Sequence, residues 1–382
     1  MRREERQQAS LGSLSTPLLA LNGLAILSVV VSHACGTGFI AMFWWTHRYL
    51  PVDVPNFSRI GSADYWLLRA MEQLTGFAVP AFLFVSGYFV AFASGRSQGT
   101  LWKYIVPRLQ GLLVPYAIWA TVLALANVAG KRRYTTWTFL KQILAGEATP
   151  AFYYVPLVCT LYLLSPFLLP LVRRRCRAVL VLLLVFDQAI RCLRYPVTLG
   201  VAPHWIQWLA GMTPSWFFPG NTFWFAAGIA GGLHGSALRG WVVRHRRLLA
   251  MALVPLYAAG LAEWELLRRY AGVDWINPWP TLLDSAFGGA VMLAALGAPD
   301  TQSRSQRLLG FLGRRSYGIF LTHPLGVHGT AKLIYHVAPG LLPHQFLLQP
   351  LLILTGIGLP LLLMHAVSRT RLRGYSRILF GR

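Results

Sequence analysis

An all-α, polytopic integral membrane protein is the fold class this sequence predicts, with about ten transmembrane helices. Three observations predict it. Of 382 residues, 55% are hydrophobic and only 12% are charged, against about a quarter charged in a soluble globular protein. The mean hydropathy is +0.50. The apolar residues gather into runs of about 20, long enough to cross a bilayer as helices. This composition excludes an ordinary soluble enzyme, and its hydrophobicity excludes intrinsic disorder.

The apolar runs follow one another at 17–43, 65–93, 109–129, 152–172, 178–195, 217–235, 248–267, 279–298, 308–328 and 346–367. Gly and Pro inside them do not argue against helices, since both are common in membrane spans. The aromatic-rich stretches 134–144 and 203–218 are too polar or too broken to span and are expected at an interface. Residues 1–16 then form an N-terminal tail, 17–367 one membrane domain and 368–382 a basic C-terminal tail. No cleavable signal peptide is expected, because the first run is too long for one and no small-residue cleavage site follows it. No internal repeat of the transporter kind stands out.

The 35 Lys and Arg outweigh 12 Asp and Glu, for a formal net charge of +23. One basic face would suggest nucleic acid. Here the cations lie between the apolar runs, so the expected partner is the lipid bilayer, and no nucleic acid. Ten spans put both termini on one side. With N-in and C-in, the inner segments hold 23 of the 35 Lys and Arg, as the positive-inside rule requires. Lys131-Arg132-Arg133 is the outer cluster that departs from it. Cys35, Cys159, Cys176 and Cys192 show no CxxC spacing, so free thiols are expected, with neither a metal site nor a disulfide framework.

Ionisable groups at bilayer depth are costly and point to function by default. They are His33, Glu72, Asp187, Asp284, His323 and His365. Asp187 stands four residues before Arg191 and Glu72 three after Arg69, the spacings of local helical pairs. His365 closes the last run beside Arg369 and is expected at the interface. Asp284 has no local cation; it needs one from another helix and is a candidate for lining a site. His33 lies deep in the first run, where it is either a hydrogen-bonded core residue or a general base.

Four segments carry a family resemblance. Asn22-Gly23-Leu24-Ala25-Ile26-Leu27-Ser28-Val29-Val30-Val31-Ser32-His33-Ala34 resembles the first span of the acyltransferase 3 family. These integral-membrane enzymes move acyl groups, usually acetyl, onto extracytoplasmic sugars and other hydroxyl acceptors. Val79-Pro80-Ala81-Phe82-Leu83-Phe84-Val85-Ser86-Gly87-Tyr88 is similar to the family's apolar run ending in Ser-Gly-Tyr. Arg108 through Pro115-Tyr116 resembles its Arg-bearing start of the third span. Ser316-Tyr317-Gly318-Ile319-Phe320-Leu321-Thr322-His323-Pro324 is similar to its late motif ending in His-Pro, with some drift at Tyr317 and Phe320. The resemblance spans about 17–330, in register. It departs at Asn22, where the family often has Arg eleven residues before the histidine.

The resemblance implies a bacterial inner-membrane O-acyltransferase. It would take an acyl group, acetyl in most of the family, from cytoplasmic acyl-CoA to a hydroxyl of a cell-surface or exported glycan, with glycan-synthesis proteins as candidate partners. With about 15 residues after the tenth run, the stand-alone membrane form is expected. His33 is then the catalytic residue. A hydroxyl is a poor nucleophile, and an imidazole with an ordinary pKa near 6.5 suits the removal of its proton. Arg108 suits CoA phosphates through its planar fork. Asn22, Ser86, Tyr88, Asp284 and His323 are candidates for lining the site. For Arg108 the plainer role is a topological anchor, and for Ser86-Gly87-Tyr88 close helix packing. Two other functions stay open: a transporter or flippase, and a non-catalytic subunit of a polysaccharide synthase.

Overall fold

A computed structural model describes residues 2–96, 101–129, 135–214, 217–299, 301 and 303–381. The Lys131-Arg132-Arg133 cluster lies outside them. Among the described residues there are helices and no strand. The first run lies in α1 (Arg2–Phe43), which also takes in most of the expected tail. The second run is two helices, α2 (Ala63–Thr75) and α3 (Ala78–Arg96), and the third is α4 (Trp102–Ala129). The stretch 134–144, expected at an interface, contains the short α5 (Thr136–Leu144).

The fourth and fifth runs lie in α6 (Tyr154–Cys192). Its 39 residues would extend about 58 Å as one rod, about twice the hydrocarbon thickness. It is broken at Arg175 (φ −134°, ψ 50°), within the arginine cluster between the two runs. The chain continues through α7 (Arg194–Thr198), α8 (His204–Gly211), α9 (Thr222–Leu233), α10 (Gly235–Arg244), α11 (Arg246–Ala271) and α12 (Leu282–Gly297). It ends with α13 (Arg304–Arg314), α14 (Ser316–Val337), α15 (Gln345–Arg369) and α16 (Ser376–Phe380). The ninth run is therefore divided between α13 and α14.

Every predicted run is helical, yet only six helical stretches among the described residues are long and apolar enough to cross a membrane. The difference has visible causes. α6 unites two runs, the ninth is divided between α13 and α14, and α9 has 12 residues and α12 has 16, short of the ~20 that a full crossing needs.

Small residues set how closely these helices approach. A Cβ on Gly87 would lie 2.0 Å from the Phe225 carbonyl oxygen, and one on Gly228 would lie 1.9 Å from that of Phe84. These contacts lock α3 to α9. Gly23 and Gly313 do the same between α1 and α13. The packing role expected for the Ser-Gly-Tyr segment thus belongs to its glycine, as in other membrane helix pairs. Two expected local pairs are also present: Arg191 grips Asp187 through two hydrogen bonds of 3.2 Å, and Arg69 binds Glu72 at 2.8 Å.

Candidate active site

A cavity of about 740 Å³ opens among α1, α3, α4, α6, α14 and α16. Lys103 and Arg108 come from α4 and Arg377 from α16; among the described residues, no carboxylate lines the space. Asn22, Ser86, Tyr104, Gln110, Tyr154 and Ser316 supply neutral polar groups. Arg108 is open to the cavity, and its Nε donates to the Tyr162 hydroxyl at 3.2 Å. That bond turns the guanidinium across the Tyr162 ring, 6.0 Å from its centroid. Tyr317 donates to the Leu112 carbonyl at 2.5 Å and ties α14 to α4 beside the opening.

Behind one wall lies a histidine pair. Phe320 lines the cavity, and its ring centroid is 6.2 Å from that of His323. The His33 and His323 rings are 5.2 Å apart, at 38°. His33 stays partly open, whereas His323 is 0% exposed. Asn22 and His33 are eleven residues apart, three turns plus about 20° at the helical repeat, so α1 directs both to one side.

The His-Pro sequence sets the chemistry of His323. Pro324 has no N–H to give to the carbonyl four residues back, which is that of Phe320. The freed oxygen lies 2.8 Å from His323 Nδ1. A carbonyl only accepts, so Nδ1 carries the proton and Nε2 keeps its lone pair. That Nε2 is buried without a hydrogen-bond partner, as is Asn22 Oδ1. Buried polar atoms are seldom left so, and here both lie in or beside the cavity.

The structure therefore brings Asn22, Ser86 and Arg108 to the cavity; His33 and His323 are outside its lining, with His323 against Phe320 of the wall and His33 against His323. Two expected site residues lie elsewhere. Tyr88 is 4% exposed and belongs to the apolar core; two residues beyond Ser86, it points some 200° around the helix. Among the described residues, Asp284 has no cationic partner. It caps α12, accepting from the Thr281 N–H at 2.9 Å, and its other oxygen accepts from Gln73 at 2.9 Å. Two amide donors and a helix N-terminus satisfy the carboxylate in place of the expected cation.

Sequence reasoning missed Lys103, Tyr104, Tyr154, Arg377 and His328. Lys103 and Arg377 were legible only as inner-side charges. His328 is on α14, and its Nδ1 is 3.5 Å from Thr37 Oγ1, which donates to the His33 carbonyl at 2.8 Å. Its position five residues after His323 was the one available signal. Among the described residues, no group of three His, Cys, Asp or Glu is placed to hold a metal ion.

Residues 19–365 match the family model of the acyltransferase 3 domain, described as an acyltransferase domain. No curated protein and no solved structure proves similar to the chain. The family match covers most of the sequence and includes both histidines, Asn22, Ser86 and Arg108, so the chain belongs to the acyltransferase 3 family of multi-pass membrane acyltransferases.

Proposed function

We propose that this protein is an O-acyltransferase of the bacterial inner membrane. It moves an acyl group, acetyl in the first instance, from cytoplasmic acyl-CoA to a hydroxyl of a cell-surface or exported glycan. One observation carries the proposal: a partly open His33 paired with His323, which packs on Phe320 of the wall of a cavity lined, among the described residues, by three cations and no carboxylate. Polyphosphate is the natural complement of such a lining, and Arg108 can meet it with its fork. The cationic mouth faces the cytoplasm in the orientation that the Lys and Arg distribution favours.

In the reaction, His33 takes the proton of the acceptor hydroxyl as its oxygen bonds to the thioester carbonyl carbon. The tetrahedral intermediate collapses, the C–S bond breaks, and the proton passes from His33 to the departing thiolate. The products are the ester and free CoA, and His33 is neutral again. His323 acts as a positioning residue. With Nδ1–H held by Phe320, it can only accept at Nε2. It therefore favours a His33 ring with its N–H toward His323 and its lone pair toward the acceptor. Ser86, Tyr154 and the Asn22 amide are the donors nearest to hand for the oxyanion, a contribution worth several kcal/mol when the donors are preorganised.

The test uses the purified full chain in lipid nanodiscs with radiolabelled acetyl-CoA. The wild type should release CoA, and faster when a glycan acceptor is added. A well-folded wild type that turns over no acyl-CoA with or without acceptor would end the proposal.

A further inference from the structure

We infer that the C-terminal segment 371–381 is a built part of the donor-binding site. In it, Arg377 binds donor phosphate and is held in place by the burial of Phe380; this rests on the donor role proposed above. A basic segment after the last span need only stay on the cytoplasmic side to satisfy topology. This segment does more. It leaves α15 through a 3-10 turn, Arg371–Tyr375, capped by Thr370 Oγ1 accepting from the Leu372 N–H at 3.3 Å. The short α16 follows and docks against α4.

Three contacts fix the docking. Phe380 is 1% exposed and stacks on Trp119 of α4, with centroids 6.2 Å apart. Trp119 Nε1 donates to the Leu379 carbonyl at 2.8 Å. Gly381 adopts φ +71°, and a Cβ there would lie 2.6 Å from Tyr317 Cδ1 and 2.9 Å from the Gly111 carbonyl. A side chain at 381 would thus meet both a backbone strain and a wall. Tyr317 and Gly111 line the cavity, so the segment closes onto the cavity itself.

One turn before Phe380, Arg377 joins Lys103 and Arg108 in the lining. Among the described residues, no carboxylate pairs with Arg377. Three like charges converging on one space repel each other unless an anion bridges them. The ligand this geometry fits is the phosphorylated nucleotide end of a thioester donor. Arg377 supplies a second planar fork in the same lining as Arg108, and the burial of Phe380 keeps it there.

The experiment measures acetyl transfer against acetyl-CoA concentration for Arg377→Glu, Arg377→Lys, Phe380→Ala and Arg108→Ala at matched membrane levels. Arg377→Glu should raise the KM for acetyl-CoA about tenfold or more while kcat stays within about threefold, the pattern of a contact made equally in ground and transition states. Arg377→Lys should recover part of the loss. Phe380→Ala keeps every cation, yet should raise the donor KM in the same direction by releasing the segment. Thermal unfolding in detergent checks that this variant is folded, and Arg377→Glu, at an open position, carries the test if it is not. A raised KM in Arg108→Ala beside an unchanged KM in Arg377→Glu overturns this inference and leaves the donor cavity standing. An unchanged KM in both removes the donor role of the cavity as well.

Discussion

Arg69 on α2 and Arg108 on α4 each direct Nε to a tyrosine hydroxyl at 3.2 Å, Tyr65 for one and Tyr162 for the other. From there they diverge. Around Arg69 the shell closes. Phe39, Tyr65, Trp264 and Trp275 stand 5.0–5.6 Å from its guanidinium, Glu72 takes Nη1 at 2.8 Å, and the side chain is 4% exposed. Around Arg108 the shell stays open, with one ring, two further cations and a cavity. The same contrast separates Asp187, held in a bidentate pair, from Asn22 on the cavity wall, whose Oδ1 has no partner. A charge or dipole in a membrane protein is costly wherever it stands. Where the chain itself satisfies the group, the group stabilises the fold; where it does not, the ligand is left to do so.

The strongest test of that contrast is at the open end. His33→Ala should lower kcat for acyl transfer by about 10²–10⁴-fold, the usual worth of a general base, with donor affinity and membrane insertion kept. His33→Gln retains hydrogen bonding but takes no proton at neutral pH, so it should be about as inactive. Acyl transfer by both variants at equal membrane levels decides, and an active Gln variant would remove the catalytic assignment.

At the closed end the expected loss is in stability. Arg69→Ala strands Glu72 and empties a cage of four rings, at a cost of about 3–5 kcal/mol. Thermal unfolding in detergent should show a clear drop, while the surviving folded fraction keeps its KM for acetyl-CoA. A changed donor KM with unchanged stability would reverse the roles drawn for the two arginines.

A finer test concerns the His-Pro device. Pro324→Ala returns an N–H to the Phe320 carbonyl, which then has less need of His323 Nδ1. With the tautomer no longer fixed, kcat should fall about tenfold at constant donor KM. Full activity in this variant would mean that the tautomer of His323 has no bearing on catalysis.

The smallest effect is expected at Asn22. Its position on the cavity wall already has three cations for company, so Asn22→Arg should change kcat/KM by less than about tenfold. If a folded Asn22→Arg protein is inactive, the Asn22 side-chain amide has a specific polar duty, and oxyanion stabilisation by its Nδ2–H becomes the first place to look.

Within one helix, the sequence by itself determined a great deal. The apolar runs fixed where helices form, because each must bury a continuous apolar surface or turn it to lipid. Pairs such as Asp187–Arg191 and Arg69–Glu72 were legible because three- and four-residue spacings bring side chains together on any helix. Asn22 and His33 share a side for the same periodic reason, and that period could also have set Tyr88 apart from Ser86. Partners between helices were decided only by the tertiary structure. His33 meets His323 from the far end of the chain, Asp284 finds Gln73 and a helix N-terminus in place of a cation, and segment 371–381 turns back onto α4. Local spacing carries no information about these meetings. They depend on which helices the glycine contacts allow to approach, and on which buried polar groups are still unsatisfied once they have.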